Sequence, residues 1–221
     1  MAYPTIQEQE ITIPAGAIEL KASLTQADDV QGVVVFAHGS GGSRTSPRHR
    51  AVANHLQKAG LATLLVDLFS AAEECSDAQN GRLRFAIPLL TGRLVAAIDW
   101  LGGQPQLGQR PVGLFGASTG AAAALSAAAL RSRSVRAVVC PGGRPDLAPG
   151  ALSLVRCPVL MIVGGRDRFV LQRNRDAASQ LLAPQALEVV RGASHLFEEP
   201  GSLEEVANLS RTWFQRHLGR H

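Results

Sequence analysis

Two hydrophobic patterns alternate along the chain. From Gln7 to Ile13, and again from Ile18 to Leu24, apolar and polar residues take turns. That period of two is the mark of a half-buried strand, and Pro14-Ala15-Gly16 between the runs predicts a hairpin at a sheet edge. Val33 to Ala37 reads VVVFA, a continuous apolar run. It suits a parallel strand covered on both faces. Further short apolar strands are predicted at Ala62–Val66, Val112–Phe115, Val135–Cys140, Pro158–Val163 and Ala186–Val190.

Helical periodicity fills the gaps. Pro47–Lys58 places Val52, Leu56 and Ala59 on one face and stops at Gly60. Arg82–Leu101 is the longest helical pattern, and Pro88 must kink or divide it. A helix is predicted over Leu171–Leu182, and another over Glu204–Leu218 with Val206, Leu209, Trp213 and Leu218 inward. Ser70–Asn80, acidic and rich in small residues, reads as a loop. Strands alternating with helices predict an α/β fold around a mostly parallel sheet. We find no internal repeat and no linker. The 221 residues suffice for one core, so residues 1–221 read as a single domain.

The chemistry concentrates where the strand at Val112–Phe115 meets an alanine-rich helical run. The turn between them is Gly116-Ala117-Ser118-Thr119-Gly120, a G-x-S-x-G pattern. A nucleophilic serine must stand clear of the backbone, and a sharp strand-to-helix turn lifts it there. The free N–H groups at the helix start favour an oxyanion beside it. A second loop, His38-Gly39-Ser40-Gly41-Gly42-Ser43-Arg44, follows the VVVFA strand. It lacks the Gly-Lys-Ser/Thr ending of a phosphate loop and the spacing of a dinucleotide loop. It fits an oxyanion hole whose donors are the backbone N–H groups of Ser40 and Thr119.

A serine hydroxyl needs an imidazole to take its proton, and the imidazole needs a carboxylate to fix its tautomer. In open α/β sheets, chemistry gathers at the carboxyl ends of the strands. Three such ends carry Ser118, Asp167 and His195, in the chain order expected for this elbow. Of the six histidines, only His195 lies in a loop after a late strand; His38 reads as structural. Asp146 is the alternative acid. Glu198 and Glu199 read as the start of the last helix.

Composition narrows the classes. Hydrophobic residues make up 46% and charged residues 18%, which is a globular balance. The formal net charge is +4, but the arginines are scattered and no basic block stands out, so nucleic acid is not expected as a partner. No signal peptide or membrane span is legible at the N-terminus or elsewhere. Cys75, Cys140 and Cys157 form no close pair, which suggests free thiols and a cytoplasmic setting. No metal-ligand spacing occurs, so no metal is expected.

The Ser118 elbow, the His38-Gly39 loop, the Gly-Gly-Arg-Asp turn at Asp167 and the Ser-His turn at His195 together resemble the α/β-hydrolase superfamily. Within it, the short chain is similar to the dienelactone hydrolase-like branch. The resemblance implies an α/β-hydrolase fold, helices on both faces of the sheet, a minimal lid or none, and a cofactor-free hydrolase. Dienelactone hydrolases use a cysteine nucleophile where this chain has Ser118. A serine is the usual choice for esterases, and Pro141–Cys157 leaves little room for a lid, so the expected substrate is a small or polar carboxylic ester, cleaved through an acyl-enzyme. Arg44 and Arg144, on loops at the catalytic edge, could bind a substrate carboxylate. Other acyl-transfer chemistry on the same residues (peptidase, acyltransferase, perhydrolase) and a non-catalytic binding protein are the alternatives. A homodimer could form through an edge hairpin or an exposed helix.

Overall fold

The continuous apolar runs become the middle of one sheet. A computed structural model describes residues 7–27, 29–39 and 42–219. Among these, the strands are β1 (Gln7–Ala15), β2 (Ile18–Gln26), β3 (Val33–Ala37), β4 (Ala62–Val66), β5 (Val112–Gly116), β6 (Val135–Pro141), β7 (Val159–Gly164) and β8 (Gln185–Val190). They lie in the order β1-β2-β4-β3-β5-β6-β7-β8. The β1–β2 hairpin pairs antiparallel, β2 joins β4 antiparallel, and every other pairing is parallel. All residues of β3, β4, β5 and β7 are buried, which is why their sequences show no alternation. The two edge strands, β1 and β8, keep polar residues toward solvent.

The helices are α1 (Pro47–Gln57), α2 (Ala71–Asn80), α3 (Ile87–Gly102), α4 (Thr119–Leu130), α5 (Pro149–Leu152), α6 (Arg168–Ala178) and α7 (Ser202–Leu218). One apolar core joins α3, α4 and the inner side of α6 to one sheet face. A second joins α1 and α7 to the other. Ala121 to Ala124 of α4 are fully buried. Alanine suits them because small side chains let α4 pack closely against both α3 and the sheet. After β6 the chain makes only a short 3-10 turn at Pro145–Leu147 and the four residues of α5, so no lid domain stands over the sheet.

One expectation needs correction, and one alternative is resolved. Ser70–Asn80 is not a loop: α2 forms there, opened by a capping box. Ser70 Oγ accepts the Glu73 N–H at 3.3 Å, and the Glu73 carboxylate accepts the Ser70 N–H at 2.9 Å. The Ser-x-x-Glu spacing was the signal, masked by a composition that looked like a loop. Pro88 divides rather than kinks. Leu83–Phe85 forms a separate 3-10 turn, and Pro88 falls in the first turn of α3, where no backbone donor is needed.

Glu73 also reaches α3. The buried Arg93 guanidinium donates to its carboxylate from both terminal nitrogens, one bond being 2.8 Å. The Arg93 bonds, together with the Ser70 bonds, outweigh burial and hold the Glu73 carboxyl down at about 2, against 4.5 ordinarily. A carboxyl lowered on folding contributes stability above its ordinary pKa and loses it as pH falls toward the folded value. We expect the protein to lose stability through this pair as pH falls from about 4.5 toward 2. Urea unfolding of Glu73→Gln should show lower stability at pH 7 and a shallower acid decline. Parallel pH profiles for the two proteins would remove the pair from the account.

Candidate active site

The turn after β5 carries a backbone conformation that few side chains adopt. Ser118 has φ +51° and ψ −121°. Strain of this kind persists only when the surroundings fix it. Here they do so from both sides. The Ser118 N–H points to the Pro141 carbonyl at 3.4 Å, and its own carbonyl accepts the Arg144 N–H at 3.0 Å and the Ala121 N–H at 3.1 Å. The Ala117 N–H donates to the Ala37 carbonyl at 3.1 Å, tying the elbow to the end of β3. Thr119 is the first residue of α4, and its N–H finds no backbone acceptor among the described residues. It is thus free to meet an anion at the helix start.

His195 and Asp167 come from turns after β8 and β7. His195 Nδ1 lies 2.7 Å from Asp167 Oδ2. A carboxylate can only accept, so Nδ1 carries the proton and Nε2 is left as an acceptor. Asp167 is held in turn: its other oxygen caps α6 by accepting the Val170 N–H at 3.2 Å. The two turns touch because Gly164 lies between them. A Cβ there would fall 2.6 Å from the Ala193 carbonyl oxygen and closer still to that of Ser194. Arg166 links them again, with its N–H on the Ala193 carbonyl at 2.9 Å and Nε on the Gly192 carbonyl at 2.7 Å.

A cleft of about 320 Å³ opens over this place, lined by both Ser118 and His195. Its walls are mainly apolar, from Val52 of α1, Phe115, Leu196, Phe197 and the start of α7. A polar substrate fits such walls poorly. A larger groove of about 470 Å³, between β8 and α7, contains no serine or histidine.

The remaining expected residues are placed elsewhere. Ser40 lies outside the described residues. The Arg44 guanidinium is 2.9 Å from Glu10 and 3.2 Å from Asp67, and it lines a different cavity beside Lys21 and Trp100. Arg144 donates two parallel 2.8 Å bonds to Asp146 and lies over the Phe169 ring. Neither arginine lines the cleft, because each is drawn to nearby carboxylates. The same pairing keeps Asp146 from His195, and Arg144 holds its carboxyl below the usual range. His38 is structural: Nδ1 donates to the Gly39 carbonyl at 3.1 Å, and Nε2 accepts the Leu68 N–H at 3.0 Å.

Several positioning residues escaped the sequence reading. Glu199 does not start α7; its carboxylate accepts the Ser194 N–H at 2.9 Å and pairs with Arg166 at 3.0 Å, shaping the His195 turn. Buried Asn174 on α6 donates to the Gly143 carbonyl at 2.9 Å and to the Val170 carbonyl at 2.8 Å. It thereby holds the 141–144 loop, where Gly142 lies against the His195 ring and Arg144 bonds the Ser118 carbonyl. No local pattern marks such contacts. We expect Asn174→Ala to lower kcat by about ten- to a hundredfold with little change in KM, because small misplacements at the reacting centre are costly. Steady-state kinetics alongside a thermal melt checks this; an unchanged kcat would make Asn174 a packing residue only.

Among the described residues no group of three or more His, Cys, Asp or Glu is placed to hold a metal ion, and no helix is long and apolar enough to cross a membrane. All three cysteines are free thiols.

Comparison with known proteins agrees with this architecture. An alpha/beta hydrolase domain family model matches residues 30–212. The crystal structure of a dienelactone hydrolase from Anabaena variabilis ATCC 29413 superposes with a TM-score of 0.94 at 51% identity, covering 97% of this chain and 99% of that one. Est1E from Butyrivibrio proteoclasticus shares the fold at 16% identity, with a TM-score of 0.77 over 94% of this chain and 98% of its own. Two Mycobacterium tuberculosis proteins, from strains CDC 1551 and H37Rv, are 50% identical over 98% of this chain and 48% of theirs; both carry a provisional name as phosphoribosyl transferases. The chain therefore spans about half the length of the curated relatives it matches. The elbow, the eight-stranded sheet and these matches give one conclusion: the chain belongs to the α/β-hydrolase family and is dienelactone hydrolase-like.

Proposed function

We propose that this protein is a serine hydrolase that cleaves a small carboxylic ester through an acyl-enzyme. The observation that carries the reading is the 2.7 Å contact of His195 Nδ1 with Asp167, in the cleft where Ser118 stands on a strained elbow. His195 Nε2 takes the Ser118 proton as Oγ attacks the ester carbonyl. Asp167 holds the ring in that tautomer and steadies the imidazolium. The oxyanion forms at the start of α4, where the Thr119 N–H meets it and the Ser40 N–H is the proposed second donor. His195 then protonates the leaving alcohol. Water repeats the sequence on the acyl-enzyme and restores Ser118. Every group used belongs to the chain itself, and the substrate is the only partner required.

The provisional transferase name belongs to proteins about twice as long, and it does not displace this reading. Partition of the acyl group between water and methanol tests it. A series of esters sharing one acyl group but differing in alcohol should give methyl ester and free acid in one constant ratio, since all pass through the same acyl-enzyme. A ratio that follows the leaving alcohol would contradict the intermediate. A methyl ester yield far above the methanol mole fraction would favour acyl transfer over hydrolysis.

A further inference from the structure

The cleft over Ser118 carries information about the substrate that the reacting residues do not. Its inner wall is the buried Phe115 ring, packed on Phe36 at 4.7 Å and met edge-on by the His49 ring at 6.2 Å. Val52 on α1 and Leu203 and Val206 on α7 form the sides. Leu196 and Phe197, a strap directly after His195, complete the lining. Phe197 is 6% exposed and has φ +54°, a costly conformation for so large a side chain, maintained where it buries its ring against the cleft.

Besides His195, the basic side chains of the described lining are Arg48 and His49. Arg48 stands at the rim, but its guanidinium pairs with Glu198 at 3.3 Å, joining α1 to the strap. His49 is uncharged at neutral pH: burial first, then His38 and Arg48 nearby, push it down to about 4. The remaining lining is glycine, serine and apolar side chains besides the Ser118–His195 centre. An apolar cavity of about 150 Å³ already accepts benzene. One of about 320 Å³ has room for a phenyl ring with a short tether.

We infer that the cleft between α1, α7 and the Leu196–Phe197 strap receives an uncharged, ring-bearing group of the substrate ester. This deepens the hydrolase reading above and rests on it for the word ester. It also separates this chain's substrate from a carboxylate-bearing one, because Arg48, the cation among the described lining residues, already faces Glu198.

The test measures binding and turnover on the intact protein. The binding probes are 3-phenylpropanamide, which is neutral, and 3-(4-carboxyphenyl)propanamide, which has the same ring with a negative charge. The neutral amide should bind at millimolar concentration or better and slow fluorophosphonate labelling of Ser118. The charged one should bind at least tenfold more weakly. Leu203→Trp, at a partly buried position, should fill the cleft and weaken the neutral amide at least tenfold; Val52→Phe is the second filling variant. Glu198→Gln, which frees Arg48, should narrow the preference between the two amides. Methyl 3-phenylpropanoate should exceed methyl acetate in kcat/KM at least tenfold. Equal binding of both amides, or binding unaffected by both filling variants, would overturn the inference. Binding of the neutral amide without cleavage of any ester would uphold the cleft and sink the hydrolase reading. Cleavage of both esters at equal kcat/KM, with no amide binding, would do the reverse.

Discussion

Ser118→Ala is expected to lower ester turnover by on the order of 10⁵- to 10⁶-fold, the scale on which a serine nucleophile and its base act as one unit. The loss should be this large because nothing else in the cleft can replace the attacking oxygen. Among the described residues, the other hydroxyl lining it is Ser46, which does not stand on the strained elbow at the start of α4. Thermal stability should hold, since the contacts fixing residue 118 run through its backbone N–H and carbonyl. A residual rate above about 1% in a folded protein would mean that Ser118 is not the nucleophile. The same logic gives a smaller loss for Asp167→Asn, about 10⁴-fold, because the amide favours the wrong tautomer of His195.

Gly120→Ala should produce the largest structural effect. A Cβ on Gly120 would run into the Ala37 carbonyl oxygen and lie 2.9 Å from both the Ala37 carbonyl carbon and the His38 carbonyl oxygen. All three are backbone atoms at the end of β3, so no side chain can swing aside. Relief requires α4 to move off the sheet, yet α4 is packed against α3 through fully buried alanines. Overpacking of this kind costs about 1–3 kcal/mol, and a backbone clash belongs at the upper end. The shift would also carry Ser118 and the Thr119 N–H away from His195. We expect a clear fall in melting temperature together with a kcat reduced at least a hundredfold, measured on the same sample. An unchanged melting temperature would show that the elbow has slack that the geometry does not suggest.

The sheet was legible because its central strands are short, apolar and evenly spaced, and because the outer β1–β2 hairpin alternates apolar and polar residues. The elbow was legible because glycine spacing at Ser118 is a local property. The order Ser118, Asp167, His195 was readable too. What the order does not carry is the approach of the last two, which depends on Gly164 and Arg166 joining turns about thirty residues apart. Charge partners were the least readable. Arg44 and Arg144 looked available from sequence, but strand register puts Glu10 and Asp67 beside one, and a two-residue spacing puts Asp146 beside the other. Glu198 and Glu199 looked like the first turn of a helix, whereas the chain spends them on Arg48 and on the Ser194 N–H. α2 hides behind a loop-like composition, with its Ser70–Glu73 capping box as the one local signal.

The most direct measurement is intact-protein mass after treatment with a fluorophosphonate probe, followed by mapping of the labelled peptide. One adduct per chain is expected, on Ser118, lost in His195→Ala and slowed strongly in Asp167→Asn. An unlabelled but folded protein, or an adduct on another residue that survives His195→Ala, would contradict the claim that Ser118 is activated by the His195–Asp167 pair.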